Sequence, residues 1–178
     1  MSEPGGSAAA CRRPLTLGVL QPGYLPWLGF FDLLRRSDVF VLYDDVQFDK
    51  HGWRNRNRIK TASGPQWLTV PVFHRDHEHL RILDVRIDNK LPWARKHVRS
   101  LQQAYARAPY ADRYLPPLAE TLEQEWELLV DLDLAVIKLL AGWLGVPGSV
   151  VRSSELGIPG RRNDRLLALC AHFGATRY

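Results

Sequence analysis

Polar side chains that could do chemistry lie in short segments of this chain, each beside an apolar run. Gln21 and Tyr24 occupy a segment rich in Pro and Gly, and both can orient a substrate through hydrogen bonds. Asp44 and Asp45 follow an apolar run and can supply a general base, a metal ligand or a partner for an amine or hydroxyl. A turn closed by aspartate side chains explains the same pair without a function. Because neighbours in an extended chain point to opposite sides, we expect one carboxylate to face a ligand.

The most basic stretch is residues 53–60, in which basic side chains alternate with others. On a strand, one face would carry the basic side chains Arg54, Arg56, Arg58 and Lys60. The other face would carry Asn55, Asn57 and Ile59. A row of guanidinium groups suits a pyrophosphate or an oligonucleotide backbone, and Trp53 can stack on a base or sugar. Acidic residues nearby in the sequence favour a phosphate-bearing small ligand over nucleic acid. A solvated basic edge strand is the alternative without function.

Two further segments carry side chains that could bind a substrate or a metal ion. Ser153 and Ser154 follow a short apolar run and are candidates for substrate binding, with helix or turn capping as the alternative. The histidine-rich segment 74–79 has metal-ligand side chains, but it lacks cysteine and its spacing matches no closed zinc site. Cys170 falls on the apolar face of a predicted helix and is expected in the core. We therefore predict no metal, and no cofactor is evident.

The elements predicted around the first two segments place them together. Residues 15–20 are a buried strand, 26–36 a helix and 39–43 a second strand, which together form a parallel βαβ unit. In such sheets, ligands bind beyond the carboxyl ends of the strands. Residues 21–27 and 44–47 occupy those ends, so the sequence predicts a site there that includes Gln47.

The rest of the chain predicts a hairpin followed by helices. The expected elements are hairpin strands at 54–60 and 67–73 with a turn at 62–66, a strand at 80–87, helices from 92 to 109, from 112 to 129 and from 131 or 133 to 145, a strand at 149–152, a helix from 163 or 164 to 174, and the start of a strand at 175–178. The predicted fold class is α/β, with a small, mostly parallel sheet, βαβ units, a hairpin-like insertion and a helical second half. We expect a disordered tail at 1–14 and one domain at 15–178.

Composition excludes several classes of protein. The 178 residues are 46% hydrophobic, which excludes a wholly disordered chain. The net charge of +5 suits phosphate-bearing partners without requiring nucleic acid. The two cysteines are too few for a disulfide framework, so a cytoplasmic location is expected. The most apolar stretch, 128–146, contains Asp131, Asp133 and Lys138, so no membrane span is predicted.

Five blocks, in order, resemble the WbqC-like protein family over about residues 17–178. They begin at Gln21 (Q-P-x-Y-x-P-W-x-G-F-F), Tyr43 (Y-D-D-V-Q-F), Trp53 (W-x-N-R-N-x-I-K), Ser153 (S-S-E) and Gly174 (G-A-T-x-Y). The resemblance implies a bacterial protein associated with O-antigen and related polysaccharide clusters. It also implies that a further C-terminal segment of the family is absent from this sequence.

The resemblance implies a cytoplasmic transferase in surface-polysaccharide synthesis, acting on a nucleotide-linked (amino) sugar or similar precursor, by acyl or aminoacyl transfer. In this hypothesis Asp44 or Asp45 is the base and Tyr24 acts on the substrate at the catalytic centre. The predicted substrate-binding residues are Gln21, Gln47, Trp53, Asn55, Arg56, Asn57, Lys60, Ser153 and Ser154. One alternative is an ATP-dependent nucleotidyltransferase or ligase, although residues 24–27 lack that group's His-x-Gly-His pattern. The other is a non-catalytic binding protein of a biosynthetic complex.

Overall fold

A computed structural model describes residues 13–49, 52–73, 80–146 and 150–178. Residues 1–12 of the predicted tail and the histidine-rich segment 74–79 lie outside the described residues. The elements are β1 (Leu17–Leu20), α1 (Leu28–Arg36), β2 (Val39–Leu42), β3 (Arg56–Thr61), β4 (Gly64–Thr69), a 3-10 turn (Ile82–Asp84), α2 (Trp93–Tyr105), α3 (Ala111–Leu122), α4 (Leu129–Trp143), β5 (Val150–Arg152), α5 (Ser153–Leu156) and α6 (Arg162–Phe173).

The main sheet is parallel and has the order β1-β2-β5. Leu17 pairs with Val39, and Phe40 pairs with Val150. On the free side of β1, Arg177 forms a parallel bridge with Thr16, where the sequence predicts the start of a strand. The fold class is therefore confirmed: a small parallel sheet, a separate antiparallel hairpin and a helical second half.

Apolar side chains from helices cover both faces of this sheet. Phe40 and Leu42 of β2 pack with α1 and with Ile137 of α4, whereas Val41 packs with Leu169 of α6. This alternation follows from the two-residue period of a strand, and it explains why β2 is apolar at every position. The carboxyl ends of the three strands lie together at one end of the sheet, next to the hairpin and α5. No helix among the described residues is long and apolar enough to cross a membrane.

The hairpin is shorter than predicted. β3 and β4 pair from Arg56–Thr69 to Thr61–Gly64, so the turn is reduced to residues 62 and 63. Gly64 has a φ of 112°, a backbone conformation that favours glycine and allows the chain to reverse at this point. Ile59 and Leu68 are buried on the inner face of the hairpin, whereas the outer face is exposed. The hairpin therefore has one face toward the core and one toward solvent.

The predicted strand at 80–87 is wrong. The segment contains the 3-10 turn, and it joins its neighbours through isolated bridges instead of a ladder. Ile82 and Val85 are both fully buried. Their spacing of three suits one face of a 3-10 turn and not one face of a strand. The periodicity of two apolar residues was too short to distinguish these structures.

Helix boundaries also differ from the sequence prediction: α2 ends at Tyr105 instead of 109, and the largest difference lies between α3 and α4. α3 ends at Leu122 instead of 129, and it contains Pro116 and Pro117 beyond its first turn. α4 begins at Leu129, before the predicted caps Asp131 and Asp133. Asp133 is instead fully buried within α4. Leu129 and Val130 extend the helix toward its N-terminus because they are buried in the core, which outweighs the capping preference of aspartate.

Candidate functional site

A cleft of about 990 Å³ lies between the loop that follows β1 and the β3–β4 hairpin. The loop, residues 21–27, contributes Gln21, Gly23 and Trp27 to the lining. The hairpin side contributes Trp53, Asn57 and Lys60. The structure thus brings together predicted site residues from two separate sequence blocks, at the carboxyl end of β1.

Direct hydrogen bonds hold the two walls of the cleft in fixed register. The Tyr24 amide donates to the carbonyl of Arg54 over 3.0 Å, and the Arg54 guanidinium donates to the carbonyl of Pro22 over 2.7 Å. The Asn57 side-chain amide donates to the carbonyl of Leu25 over 2.5 Å. A Cβ at Gly23 would stand only 2.9 Å from the Trp53 carbonyl oxygen, so glycine is needed for this close approach. The loop is therefore a preformed wall of the cleft.

Tyr24 is fully buried beneath the cleft, although it was predicted to act on the substrate. Its hydroxyl lies 2.9 Å from Nδ1 of His97, a residue of α2 that the sequence analysis did not single out. Burial lowers the pKa of His97 to about 4, opposed by a hydrogen bond to the Thr69 backbone. Burial also raises the pKa of Tyr24, and the nearby Asp133 carboxyl raises it further. Nδ1 of the neutral His97 accepts a hydrogen bond from the Tyr24 hydroxyl, so this pair positions the loop.

The charges on the cleft are of one sign. Arg54, Arg58 and Lys60 line it, and no Asp, Glu, His or Cys is found among the described lining residues. Arg54 is committed to Pro22 and to an ion pair with Asp49. Within the described ranges, neither Arg58 nor Lys60 forms an ion pair. The cleft is therefore suited to an anionic ligand.

Exposed indoles stand at both sides of the cleft. Trp27 is 70% exposed and Trp53 is 46% exposed, although tryptophan is usually largely buried. Trp53 forms a ring pair with Trp67 of β4, with centroids 5.1 Å apart. Arg58 lies over both rings of this pair, and Arg56 lies over Trp67 at 4.6 Å. The basic and aromatic side chains of the hairpin thus form one joined outer face.

A second polar cluster lies at the carboxyl ends of β2 and β5, outside the cleft lining. We call it the aspartate junction: Asp44, Asp45, Arg152, Ser153, Ser154 and Arg165. Asp44 is fully buried and accepts hydrogen bonds from Arg152 Nε over 2.7 Å and from the amide and hydroxyl of Ser154 over 3.0 and 2.8 Å. These donors occupy both carboxylate oxygens. The surroundings of Asp44 therefore favour the structural alternative over a base that faces the ligand.

Asp45 is likewise held by donors. Arg165 pairs with one carboxylate oxygen, and the Ser153 hydroxyl lies 2.5 Å from the other. Although burial opposes the shift, the hydrogen bonds from Arg165 and Ser153 lower the pKa of Asp45. Ser153 is itself buried and lies 3.1 Å from Asp44 Oδ1, so its single hydroxyl proton serves one carboxylate at a time. A carboxylate with a lowered pKa is a weak proton acceptor.

Comparison with known proteins gives the family. Residues 21–178 match the WbqC-like protein family. The chain belongs to this family. It is 36% identical over 163 residues to the uncharacterized protein Rv1507c of Mycobacterium tuberculosis, a match that covers 91% of this chain and 70% of the relative. No solved structure matches the chain.

The sequence blocks that resemble the WbqC-like family divide between the two polar regions. The blocks that begin at Gln21 and Trp53 build the cleft, and those that begin at Tyr43 and Ser153 build the aspartate junction. The two regions meet in the sheet, because the amide of Tyr43 donates to the carbonyl of Leu20, the residue before the cleft loop. The blocks that begin at Gln21, Tyr43 and Ser153 therefore lie at the carboxyl ends of neighbouring parallel strands, but the two regions do not share one set of contacts.

Three of the predicted substrate-binding residues of this WbqC-like chain are not among the residues that line the cleft. Gln47 is exposed and pairs through its backbone with Arg81. Asn55 is buried, and its amide donates to the carbonyl of Val70 over 2.8 Å. Arg56 donates to the Gly52 carbonyl and packs on Trp67. These three predicted residues therefore do not face a ligand in the cleft.

Three residues that complete these clusters were not predicted from the sequence. Trp67, Arg152 and Arg165 are the partners of predicted residues, but they lie far from them in sequence. Their only local signals were the alternation around Trp67 and the position of Arg152 at the end of a predicted strand. In the part of the chain that the structure describes, no three His, Cys, Asp or Glu side chains are arranged to hold a metal ion.

Proposed function

We propose that this WbqC-like protein binds a nucleotide-linked sugar or a similar phosphate-bearing precursor in the cleft, as a cytoplasmic transferase of surface-polysaccharide biosynthesis. The observation that carries the proposal is the combination of unpaired cations, exposed indoles and an absence of acidic groups among the described lining residues. A phosphorylated ligand would face cations, and its ring would face indole surfaces. The biosynthetic setting is the one that the resemblance to the WbqC-like family implies, through its association with O-antigen and related polysaccharide clusters.

In this proposal, the roles of the residues follow from their surroundings. Lys60 and Arg58 hold the phosphates because their charges face the cleft without carboxylate partners among the described residues. Gln21, the first residue of the loop that follows β1, lines the cleft and orients the ligand through its side-chain amide. Tyr24 and Asn57 position the loop. The aspartate junction fixes the strand ends behind the cleft.

A non-catalytic binding protein is the second candidate, and one observation favours it. No described lining residue can act as a general base near neutral pH: the carboxylates lie in the aspartate junction, and the Tyr24 hydroxyl is buried with a raised pKa. A transferase built on this cleft would need the base from the acceptor or from residues outside the described ranges. A phosphate ligand that binds but is never turned over, with a range of acceptors, would support the binding protein.

The test is a calorimetric titration of the protein with UDP-sugars, with ATP and with pyrophosphate. We expect Lys60→Ala to weaken binding of the phosphate ligand by roughly 10- to 150-fold, as the loss of one charge-assisted contact costs about 1.5–3 kcal/mol. Lys60→Arg should retain most of the affinity. Lys96→Ala, at an exposed position on α2, is the matched control and should leave binding unchanged.

Two outcomes of this titration would decide against the proposal. Absence of binding by all three ligands to the wild-type protein would overturn it. Tight binding of ATP alone, followed by pyrophosphate release on addition of candidate acids, would favour the nucleotidyltransferase alternative. Binding of UDP-sugars that is lost in Lys60→Ala and kept in Lys96→Ala would support it.

A further inference from the structure

The outer face of the hairpin carries a built aromatic surface at one end of the cleft. Trp53 and Trp67 are 46% and 45% exposed, and their rings are tilted by 37° with centroids 5.1 Å apart. Burying these indoles in the core would be the ordinary outcome for such large apolar side chains. Trp53, which lines the cleft, and Trp67, which pairs with it, instead stay half-exposed, and exposed aromatic surface of this kind is typical of ligand-binding sites.

The backbone fixes this surface. Trp67 stands directly opposite Arg58 in the antiparallel ladder, so the two side chains share the outer face. Trp53 is held because its neighbour Arg54 is bonded to the cleft loop and because its own carbonyl packs against Gly23. An indole that is held by its backbone loses little conformational entropy when a ligand stacks on it.

The cations beside the indoles are also oriented. The guanidinium of Arg58 lies 5.5 Å from the Trp53 ring and 5.3 Å from the Trp67 ring. Stacking uses the face of the guanidinium and leaves its N–H groups in the plane free to donate. Lys60 is two residues further along the same face of β3, about 7 Å away along the strand. Adjacent phosphates can therefore contact both cations.

These observations indicate which part of the ligand contacts which side chain. The inference drawn from them rests on the proposed function and deepens it. We propose that the ligand is a nucleoside diphosphate derivative whose base stacks on Trp53 of the Trp53–Trp67 pair. Its diphosphate contacts Arg58 and Lys60. The group attached to the diphosphate then points toward Gln21 and Trp27 on the opposite wall of the cleft.

The inference is tested with nucleoside diphosphates of the four common bases and with inorganic pyrophosphate as probes. Stacking of one base on one aromatic side chain contributes about 1–3 kcal/mol, which corresponds to roughly 5- to 150-fold in affinity. Wild-type protein should bind at least one nucleoside diphosphate more tightly than pyrophosphate by such a factor. Trp53→Ala should remove this preference and leave pyrophosphate binding unchanged, whereas Trp53→Phe should keep most of it.

Matched variants separate stacking from other effects. Tyr110→Ala removes an aromatic ring that is 66% exposed and does not line the cleft, and it should have no effect. Retained pyrophosphate affinity shows that Trp53→Ala is folded at the cleft. If Trp27→Ala, and not Trp53→Ala, removes the preference, the assignment of the base to the hairpin is overturned.

Failure of this inference can be distinguished from failure of the proposed function. Equal affinity for pyrophosphate and for all nucleoside diphosphates, unchanged in Trp53→Ala, would overturn stacking and leave a phosphate site. Absence of binding by every probe to the wild-type protein would overturn both. Loss of pyrophosphate binding together with the preference in Trp53→Ala would also overturn the inference, because the indole would then be supporting the phosphate site.

Discussion

The cleft and the aspartate junction lie at neighbouring strand ends, yet they use their polar groups in opposite ways. In the junction, the Asp44 and Asp45 carboxylates accept hydrogen bonds from arginine and serine side chains and are largely buried. In the cleft, Arg58 and Lys60 have no carboxylate partner among the described residues, and they face open volume. Both regions come from segments that looked equally functional in the sequence. The two regions differ in whether their charged side chains have partners of opposite charge, and not in residue type or in position after a strand.

The difference shows where each set of charges acts. Buried charges must be paired, so the junction residues contribute to the free energy of folding. Exposed cations beside exposed indoles contribute little to folding and remain available to a ligand. Substitutions in the junction should therefore change stability, and substitutions in the cleft should change binding.

The largest expected effect on stability is that of Asp44→Ala. Removing this fully buried carboxylate leaves Arg152 and the Ser154 donors without their acceptor, which should lower the free energy of unfolding by about 3–5 kcal/mol. Urea unfolding followed by circular dichroism measures the change. Asp131→Ala removes the other, half-exposed carboxylate that contacts Arg152 and should cost less than about 1 kcal/mol. Unchanged stability with lost ligand binding in Asp44→Ala would break the comparison.

The next effect concerns pH and His97 beneath the cleft. Its pKa is lowered from 6.5 to about 4 in the folded protein, so the unfolded chain binds the proton more readily. The contribution of His97 to stability is complete above pH 6.5 and is lost as the pH falls toward 4, with a total on the order of 3 kcal/mol. NMR titration should show a neutral His97 ring down to about pH 5. A ring that titrates near 6.5 would contradict the buried Tyr24–His97 pair.

Asp133 sharpens the comparison, because it is buried as deeply as Asp44 but finds no donor among the described residues. Burial raises its pKa well above 3.8, so the folded protein holds the proton and loses stability as the pH rises above that value. Asp133→Asn should raise the free energy of unfolding at pH 7 by about 1–3 kcal/mol.

The gain in Asp133→Asn should shrink as the pH falls through 3.8, since the wild-type carboxyl then becomes protonated in the unfolded chain as well. Chemical unfolding at several pH values checks this. The control is Asp131→Asn on the same helix, whose side chain is 45% exposed and should change stability by less than about 0.5 kcal/mol. A loss of stability in Asp133→Asn would show that the carboxylate has a partner that it needs.

The smallest expected effect on stability is that of Lys60→Ala, which should stay within about 0.5 kcal/mol of the wild-type free energy of unfolding. Lys60 is exposed, and its backbone pairing with Pro65 does not depend on the side chain. Thermal unfolding without ligand measures this, and the titrations above measure binding on the same sample. A large loss of stability would place Lys60 with the junction residues and not with the cleft.

Local sequence patterns predicted most of the secondary structure, whereas the environments of the candidate site residues depend on partners that are distant in sequence. The βαβ unit and hairpin followed from apolar runs, turns and alternation, which are properties of neighbouring residues. The segment at 80–87 was misassigned because its short apolar run is typical of a strand, whereas the spacing of three between the buried Ile82 and Val85 suits a 3-10 turn. The environments of Asp44 and Tyr24 depend on Ser154 and His97, which are remote in sequence. No pattern around an aspartate tells whether arginine will pair with it.

The most direct test of the account is a co-crystal structure of the protein with a nucleoside diphosphate sugar. If Arg58 and Lys60 hold the diphosphate, its oxygens will lie within hydrogen-bond distance of both side chains, inside the cleft between the loop at 21–27 and the hairpin. Phosphates bound instead by Arg152 and Arg165, with the carboxylates of the aspartate junction displaced, would contradict it.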